Sequence, residues 1–168
     1  MVDNVARKLN RSFYALLAFL LLCCTPASLL HAEAPMLLRV ENGDNVRVFS
    51  RSDLEQLPQN SFTTTTIWTE GEIAFSGPSL KDVLATVGLD GQSVEAVAIN
   101  DYKALIPAKL IGDRFPIVAT RRNGEAFGRR EKGPLWIVFP FDRSEEFQRE
   151  LVFSSSVWQV IELHAVKD

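Results

Sequence analysis

An α+β domain built mostly from short strands is the fold class the sequence predicts, on three observations. β-branched and apolar residues fall in short runs bounded by Gly, Pro, Asn or Asp. Clear helical periodicity is confined to a few brief stretches, best developed at Pro78 to Val87. No internal repeat, low-complexity tract or linker divides residues 33–168, so they read as one domain.

In chain order, Met36 to Glu41 and Val46 to Ser50 predict two strands joined by Asn42-Gly43-Asp44, a tight-turn sequence. Ser50 is placed to cap a helix over Arg51 to Leu57, with Asp53 in its first turn and Pro58 ending it. Ser61 to Trp68 is rich in threonine and predicts a strand. In PSLKDVLATV, Leu80, Val83, Leu84 and Val87 share one helical face, and Gly88 stands where a left-handed C-cap belongs. Val94 to Ile99 predicts a buried strand. Ile117 to Arg121 and Glu125 to Gly128 flank Asn123-Gly124 and predict a hairpin. Leu135 to Phe139 and Val157 to Val166 predict the last strands, with a polar segment, Arg143 to Glu150, between them.

The first residues predict export. Arg7, Lys8 and Arg11 precede the apolar run Phe13 to Cys24, which is about half of the ~20 residues a membrane span needs. Small residues follow at Ala32 and Ala34. A charged start, a short apolar core and an Ala-rich end describe a cleavable signal over residues 1–32. Cleavage after Ala32 is preferred, because a cut after Ala34 would leave Pro35 on the leaving side; an uncleaved anchor is the alternative.

Removing that segment changes the chemistry on offer. Cys23, Cys24 and His31 go with it, leaving no cysteine and one histidine, His164. Without Arg7, Lys8, Arg11 and Asp3, the totals of 18 Lys+Arg and 21 Asp+Glu become 15 and 20, a net charge of −5. Disulfides, thiol catalysis and thiolate metal sites are excluded, so the apolar core must stabilise the fold alone. A mildly acidic chain is a poor binder of nucleic acid. One histidine gives neither a Ser-His-Asp arrangement nor HExxH, no phosphate loop is present, and no metal site is expected. The chain reads as a ligand-binding domain, not an enzyme, with no catalytic residue assigned.

Two groups of residues stand out. Arg121, Arg122, Arg129, Arg130 and Lys132 surround the Asn123-Gly124 turn, either as a solvated tip or as a contact for an anion or partner protein. Trp68-Thr69-Glu70-Gly71, Asn100-Asp101-Tyr102 and Ser154-Ser155-Ser156-Val157-Trp158-Gln159 put aromatic and polar groups at strand ends. Sheet-based domains usually build pockets from such ends. Trp136, inside LWIVF, reads as core.

The order of blocks resembles the sulfite-oxidase-type molybdopterin-binding domain over nearly all of residues 33–168. The resemblance rests on TTTTIWTEGEIAFSGPSLKDVLATVGL (Thr63 to Leu89), AINDYKALIP (Ala98 to Pro107), IVATRRNGEAFGRREKGPLWIVFPF (Ile117 to Phe141) and SSVWQVIEL (Ser155 to Leu163). The family's counterparts are a strand leading to a molybdenum-binding cysteine, a Gly-x-x-Leu-x-x-Leu-like helix, an Asp-Gly-Tyr segment, an Asn-Gly hairpin before a Gly-x-Pro strand, and a Ser-Val/Ile-Lys-Trp ending. Three departures matter. No cysteine remains to bind molybdenum, Asn100-Asp101-Tyr102 lacks the glycine of Asp-Gly-Tyr, and Trp158 replaces the closing lysine.

These departures, with the WTxGxxxFxG, NDY, GPLWIVFP and SSVWQ runs, resemble small periplasmic pterin-binding proteins that keep this fold without the metal. The resemblance implies a periplasmic location, a monapterin- or neopterin-type ligand and no molybdenum. It implies as partner the periplasmic domain of a membrane signalling protein: an enzyme that makes or degrades cyclic di-GMP, or a sensor kinase. A pterin presents an NH2 beside a ring N–H, a pair that one carboxylate accepts, and Asp101 is the expected acceptor unless it only caps a turn. Trp68, Tyr102 and Trp158 are the expected stacking platforms, with Thr69, Ser155 and Ser156 as polar contacts. A molybdopterin-dependent oxidoreductase, or its electron-transfer accessory, is the alternative reading.

Overall fold

The computed structural model describes residues 35–166; the expected signal at 1–32 lies outside the described residues. The chain opens with β1 (Met36–Asn42) and β2 (Asn45–Ser50), an antiparallel pair turned through Gly43-Asp44. Ser50 then caps α1 (Arg51–Gln56): its hydroxyl accepts from the Asp53 amide while the Asp53 carboxylate accepts from the Ser50 amide. The strand β3 (Gln59–Thr64) pairs with β4 (Ile73–Pro78). In α2 (Leu80–Ala85), Ser79 is the N-cap and the predicted apolar face is buried. The helix ends as its sequence predicts. Gly88 is left-handed (φ 75°), and its amide bonds Ala85 O while the Leu89 amide bonds Leu84 O, the pair that defines a Schellman ending.

Eight strands and one short helix follow. They are β5 (Val94–Ala98), β6 (Lys103–Ile106), β7 (Ile117–Ala119), β8 (Arg121–Arg122), β9 (Glu125–Ala126), β10 (Trp136–Val138), α3 (Glu150–Ser154), β11 (Val157–Trp158) and β12 (Val160–Ala165). Three sheets result, in the orders β2-β1-β12-β5-β6, β11-β10-β7 and β3-β4-β8-β9. All paired neighbours among the described residues run antiparallel except β1 and β12, so the last strand enters the middle of the first sheet beside the first strand. Mostly β with a few short helices, the described residues match the predicted class.

The small β7–β10–β11 sheet has a core on each face. Val118 and Ile137 join one apolar cluster with Leu38, Leu84 and Leu163, while Ile117, Ala119, Trp136 and Val138 join an aromatic one with Phe75, Phe127 and Phe141. Burial on both faces explains why IVA and WIV are unbroken apolar runs rather than alternating ones. β4 crosses close behind. A Cβ on Gly77 would stand 2.0 Å from the Val118 carbonyl oxygen, so only glycine lets the two backbones approach.

Several elements differ from the sequence reading for identifiable reasons. The threonine-rich strand stops at Thr64, not Trp68, because the carboxylate of Asp142 captures the Thr65 amide (2.5 Å) and hydroxyl (2.8 Å). The final strand is cut in two at Gln159 (φ 55°), which moves the chain from the β10 sheet to the β5 sheet. Ile117 to Arg121 is likewise shared between two sheets around Thr120. Lys103–Ile106 forms a strand that the pattern did not disclose. The segment Arg143 to Glu150 contains the 3-10 turn Glu145–Gln148 and leads into α3.

Candidate functional site

Three strand ends converge beside α3. The β5–β6 hairpin contributes Asn100 and Tyr102, β11 contributes Trp158, and the loop between β3 and β4 contributes Trp68. With Glu150, Phe153, Ser154 and Ser156 from α3 and its end, they line an open cleft of about 360 Å³. A recess of about 30 Å³ continues it between Ala98, Asn100, Tyr102, Ser156, Val157 and Trp158. The size falls in the range of small-molecule sites, and the lining is mostly apolar with few polar groups, as such sites usually are.

The aromatic walls are cross-braced. Trp68 stands edge-on to Trp158 (centroids 5.3 Å), Phe153 (6.0 Å) and Phe141 (5.9 Å), and Phe141 stacks flat on Phe153 at 4.9 Å and 15°. Such arrangements are each favourable by about 0.5–1.5 kcal/mol beyond area burial. Trp136 lies behind both tryptophans, fully buried as expected, with its indole N–H lacking a hydrogen-bond partner. Lys132 holds its ammonium 4.9 Å from the Trp158 ring, and the Gln159 side chain ties the same turn down by donating to Arg129 O (2.8 Å).

The Trp68 loop is fastened from below by Asp142. Its carboxylate accepts from the Thr65 amide and hydroxyl, its amide donates to the Thr64 hydroxyl (3.1 Å), and Thr66 meets Thr69 hydroxyl to hydroxyl (2.7 Å). The bond from the Thr65 amide, followed by that from its hydroxyl, holds the Asp142 carboxyl below the ordinary aspartate range against a small opposing effect of burial.

Of the residues expected at the site, Trp68, Tyr102, Ser156 and Trp158 come together around the cleft. Thr69 is spent on Thr66 in the loop. Ser155 is fully buried with its hydroxyl directed to Leu105 O (3.4 Å), so it faces the protein and not the cleft. Asp101 is at the hairpin tip in a left-handed conformation (φ 63°), exposed and outside the cleft lining; its neighbour Asn100 lines the cleft instead. Asn100 and Ser154 belong to the strand-end runs that the sequence singles out but are assigned no role there, and Glu150 and Phe153 are missed. Only the three-residue spacing of Glu150 and Phe153 signals a shared helical face, and the segment reads as polar coil.

The arginine cluster is dispersed. Arg121 bonds Glu55 (3.1 Å) and Gly124 O (3.2 Å); Arg122 borders a separate depression with Glu125 and Glu131; Arg129 and Arg130 sit exposed on the turn after β9. None lines the tryptophan cleft. His164 lies between Glu41 (3.3 Å) and Glu162 (3.0 Å).

No protein-family model and no curated protein sequence matches the chain. Among solved structures it is similar to the sulfane dehydrogenase SoxCD of Paracoccus pantotrophus, with a TM-score of 0.60 and 19% identity. The match covers 78% of this chain and 38% of that chain, so this chain spans well under half of its neighbour. The likeness supports a sulfite-oxidase-like fold. Residues 35–166 contain no cysteine, and among the described residues no three His, Cys, Asp or Glu groups converge as metal ligands.

Proposed function

We propose that the cleft binds a pterin without molybdenum chemistry and that the protein, exported to the periplasm, reports pterin status to the periplasmic domain of a membrane signalling protein. The observation that carries this reading is the cleft itself, where Trp68, Tyr102, Phe153 and Trp158 surround a space bordered by one carboxylate, Glu150, and one amide, Asn100. A flat bicyclic ring gains from aromatic walls, and its paired N–H donors need one carboxylate. Glu150 takes the role expected of Asp101, since it borders the cleft. Asn100 is left for the ring's other polar atoms; the Ser156 hydroxyl already donates to Val152 O (3.1 Å) and can only accept. Signalling follows from differential binding: the ligand must favour the arrangement that engages the partner, or it shifts nothing.

The sulfane dehydrogenase likeness favours a second reading, a molybdopterin-dependent oxidoreductase or its electron-transfer accessory, against which stands the missing thiolate. The test begins with protein purified from its own periplasm, denatured, with released small molecules examined for pterin fluorescence and mass beside metal analysis. Stoichiometric pterin without molybdenum supports the proposal; near one molybdenum per chain supports the alternative. Calorimetry with neopterin then separates the carboxylates. Glu150→Gln should weaken binding by about 1–3 kcal/mol through unpaired ligand donors, and Asp101→Ala should leave it unchanged. The reverse pattern sinks the Glu150 assignment.

A further inference from the structure

A second groove lies on the far side of α3 from the tryptophan cleft and has a different chemistry. It has a volume of about 470 Å³, with Phe115 and Phe147 in its lining together with Val152 of α3. Around the phenyl rings stand Lys109, Arg114 and Arg143, with Glu146 opposing them. The other carboxylate of the lining, Asp113, is already paired with Lys81 (2.8 Å). None of Lys109, Arg114 and Arg143 is in an ion pair among the described residues. Both guanidinium groups are held over the same ring, Arg143 at 4.9 Å and Arg114 at 5.5 Å from the Phe115 centroid.

This concentration runs against the chain's average charge, which is −5 over residues 33–168. Guanidinium groups seated on an aromatic ring are restrained before any partner arrives, so less side-chain freedom is lost when they take a carboxylate. A concave floor with two phenyl rings suits an extended chain carrying aromatic residues better than a flat bilayer surface. We infer that this groove docks an acidic, aromatic peptide segment of a partner protein, with Arg114 and Arg143 receiving its carboxylates and Phe115 and Phe147 its rings. The inference stands whether or not the tryptophan cleft takes a pterin. It also moves the partner contact away from Arg121, Arg122, Arg129 and Arg130, the first of which is already engaged by Glu55.

The test is fluorescence anisotropy with a labelled peptide of alternating Glu and Tyr, at low and high salt, on the purified full chain. The peptide should bind saturably and weaken with salt. The Arg114→Glu/Arg143→Glu double variant should lose at least about tenfold in affinity, the Arg114→Lys/Arg143→Lys pair should retain part of it, and Arg130→Glu should change nothing. All substituted positions are exposed, and circular dichroism confirms folding. No binding by the wild-type chain overturns the inference. So does an equal loss in Arg130→Glu, or binding to phosphatidylglycerol vesicles with none to the peptide.

Discussion

Replacing Asp142 by alanine should loosen the loop that carries Trp68 and leave the sheets intact. The substitution removes two hydrogen bonds to a carboxylate, from the Thr65 amide and the Thr65 hydroxyl, and keeps the backbone bond to Thr64. Buried bonds of this kind contribute about 1.5–3 kcal/mol each, but Asp142 is exposed and water competes, so about 1 kcal/mol for the pair is the reasonable figure. For a domain of this size that lowers the melting temperature by about 3–5 °C. The assay is thermal unfolding followed by near-ultraviolet circular dichroism of wild type and Asp142→Ala from neutral to acid pH. Because the folded-state pKa is depressed, the stabilisation is present above the unfolded value of about 3.9 and is lost as pH falls through the lower folded value. The gap between the two proteins should therefore be full at pH 7 and narrow below pH ~4. A gap that is absent at pH 7, or that widens in acid, refutes the clamp.

Two further outcomes follow from packing. Gly77→Ala should destabilise by about 3 kcal/mol, read as a lower denaturation midpoint, because its Cβ would meet the Val118 carbonyl at 2.0 Å and one of two buried backbones must move; a loss under about 1 kcal/mol would show that the crossing relaxes freely. Trp136→Phe should change stability by less than about 1 kcal/mol, since removing an unpartnered indole N–H recovers about as much as the lost volume costs; a large loss would mean that a water or ligand satisfies that donor.

Local signals were read correctly where one short stretch contains the whole cause. The Ser50 cap with Asp53 in the first turn, the Gly88 ending and the Asn123-Gly124 turn, whose two residues are both left-handed (φ 51° and 83°), each depend on residues a few positions apart. The misread boundaries have distant causes. Thr65 leaves its strand for Asp142, which is 77 positions away, and no propensity at Thr65 announces it. Of the site, the aromatic residues Trp68, Tyr102 and Trp158 were legible because large rings beside polar strand ends are conspicuous. Glu150 was not. Its place depends on α3, a five-residue helix too short to show periodicity and stabilised by the packing of Val152 and Phe153. Asp101 illustrates the converse: its sequence context suggested a ligand contact, and the left-handed tip of the β5–β6 hairpin claimed it.

The 3-10 turn Phe141–Arg143 joins the two clefts, since its three side chains serve three different places. Phe141 stacks on Phe153 of the tryptophan cleft, Asp142 fastens the Trp68 loop, and Arg143 covers Phe115 in the basic groove. A ligand seated on Trp68 or Phe153 would therefore lie against side chains packed on the turn that presents Arg143. Contiguity alone transmits nothing; the turn must have two arrangements that both occupants distinguish. If they do, linkage is reciprocal, and an acidic peptide tightens pterin binding by the factor by which pterin tightens peptide binding. The size of that factor identifies the switched contact. When only the Asp142 clamp is exchanged, about 1 kcal/mol limits the coupling to about fivefold. A larger factor requires the stack of Phe141, Phe153 and Trp68 to repack as a unit, and Phe153→Leu should then abolish the coupling while leaving peptide binding itself in place.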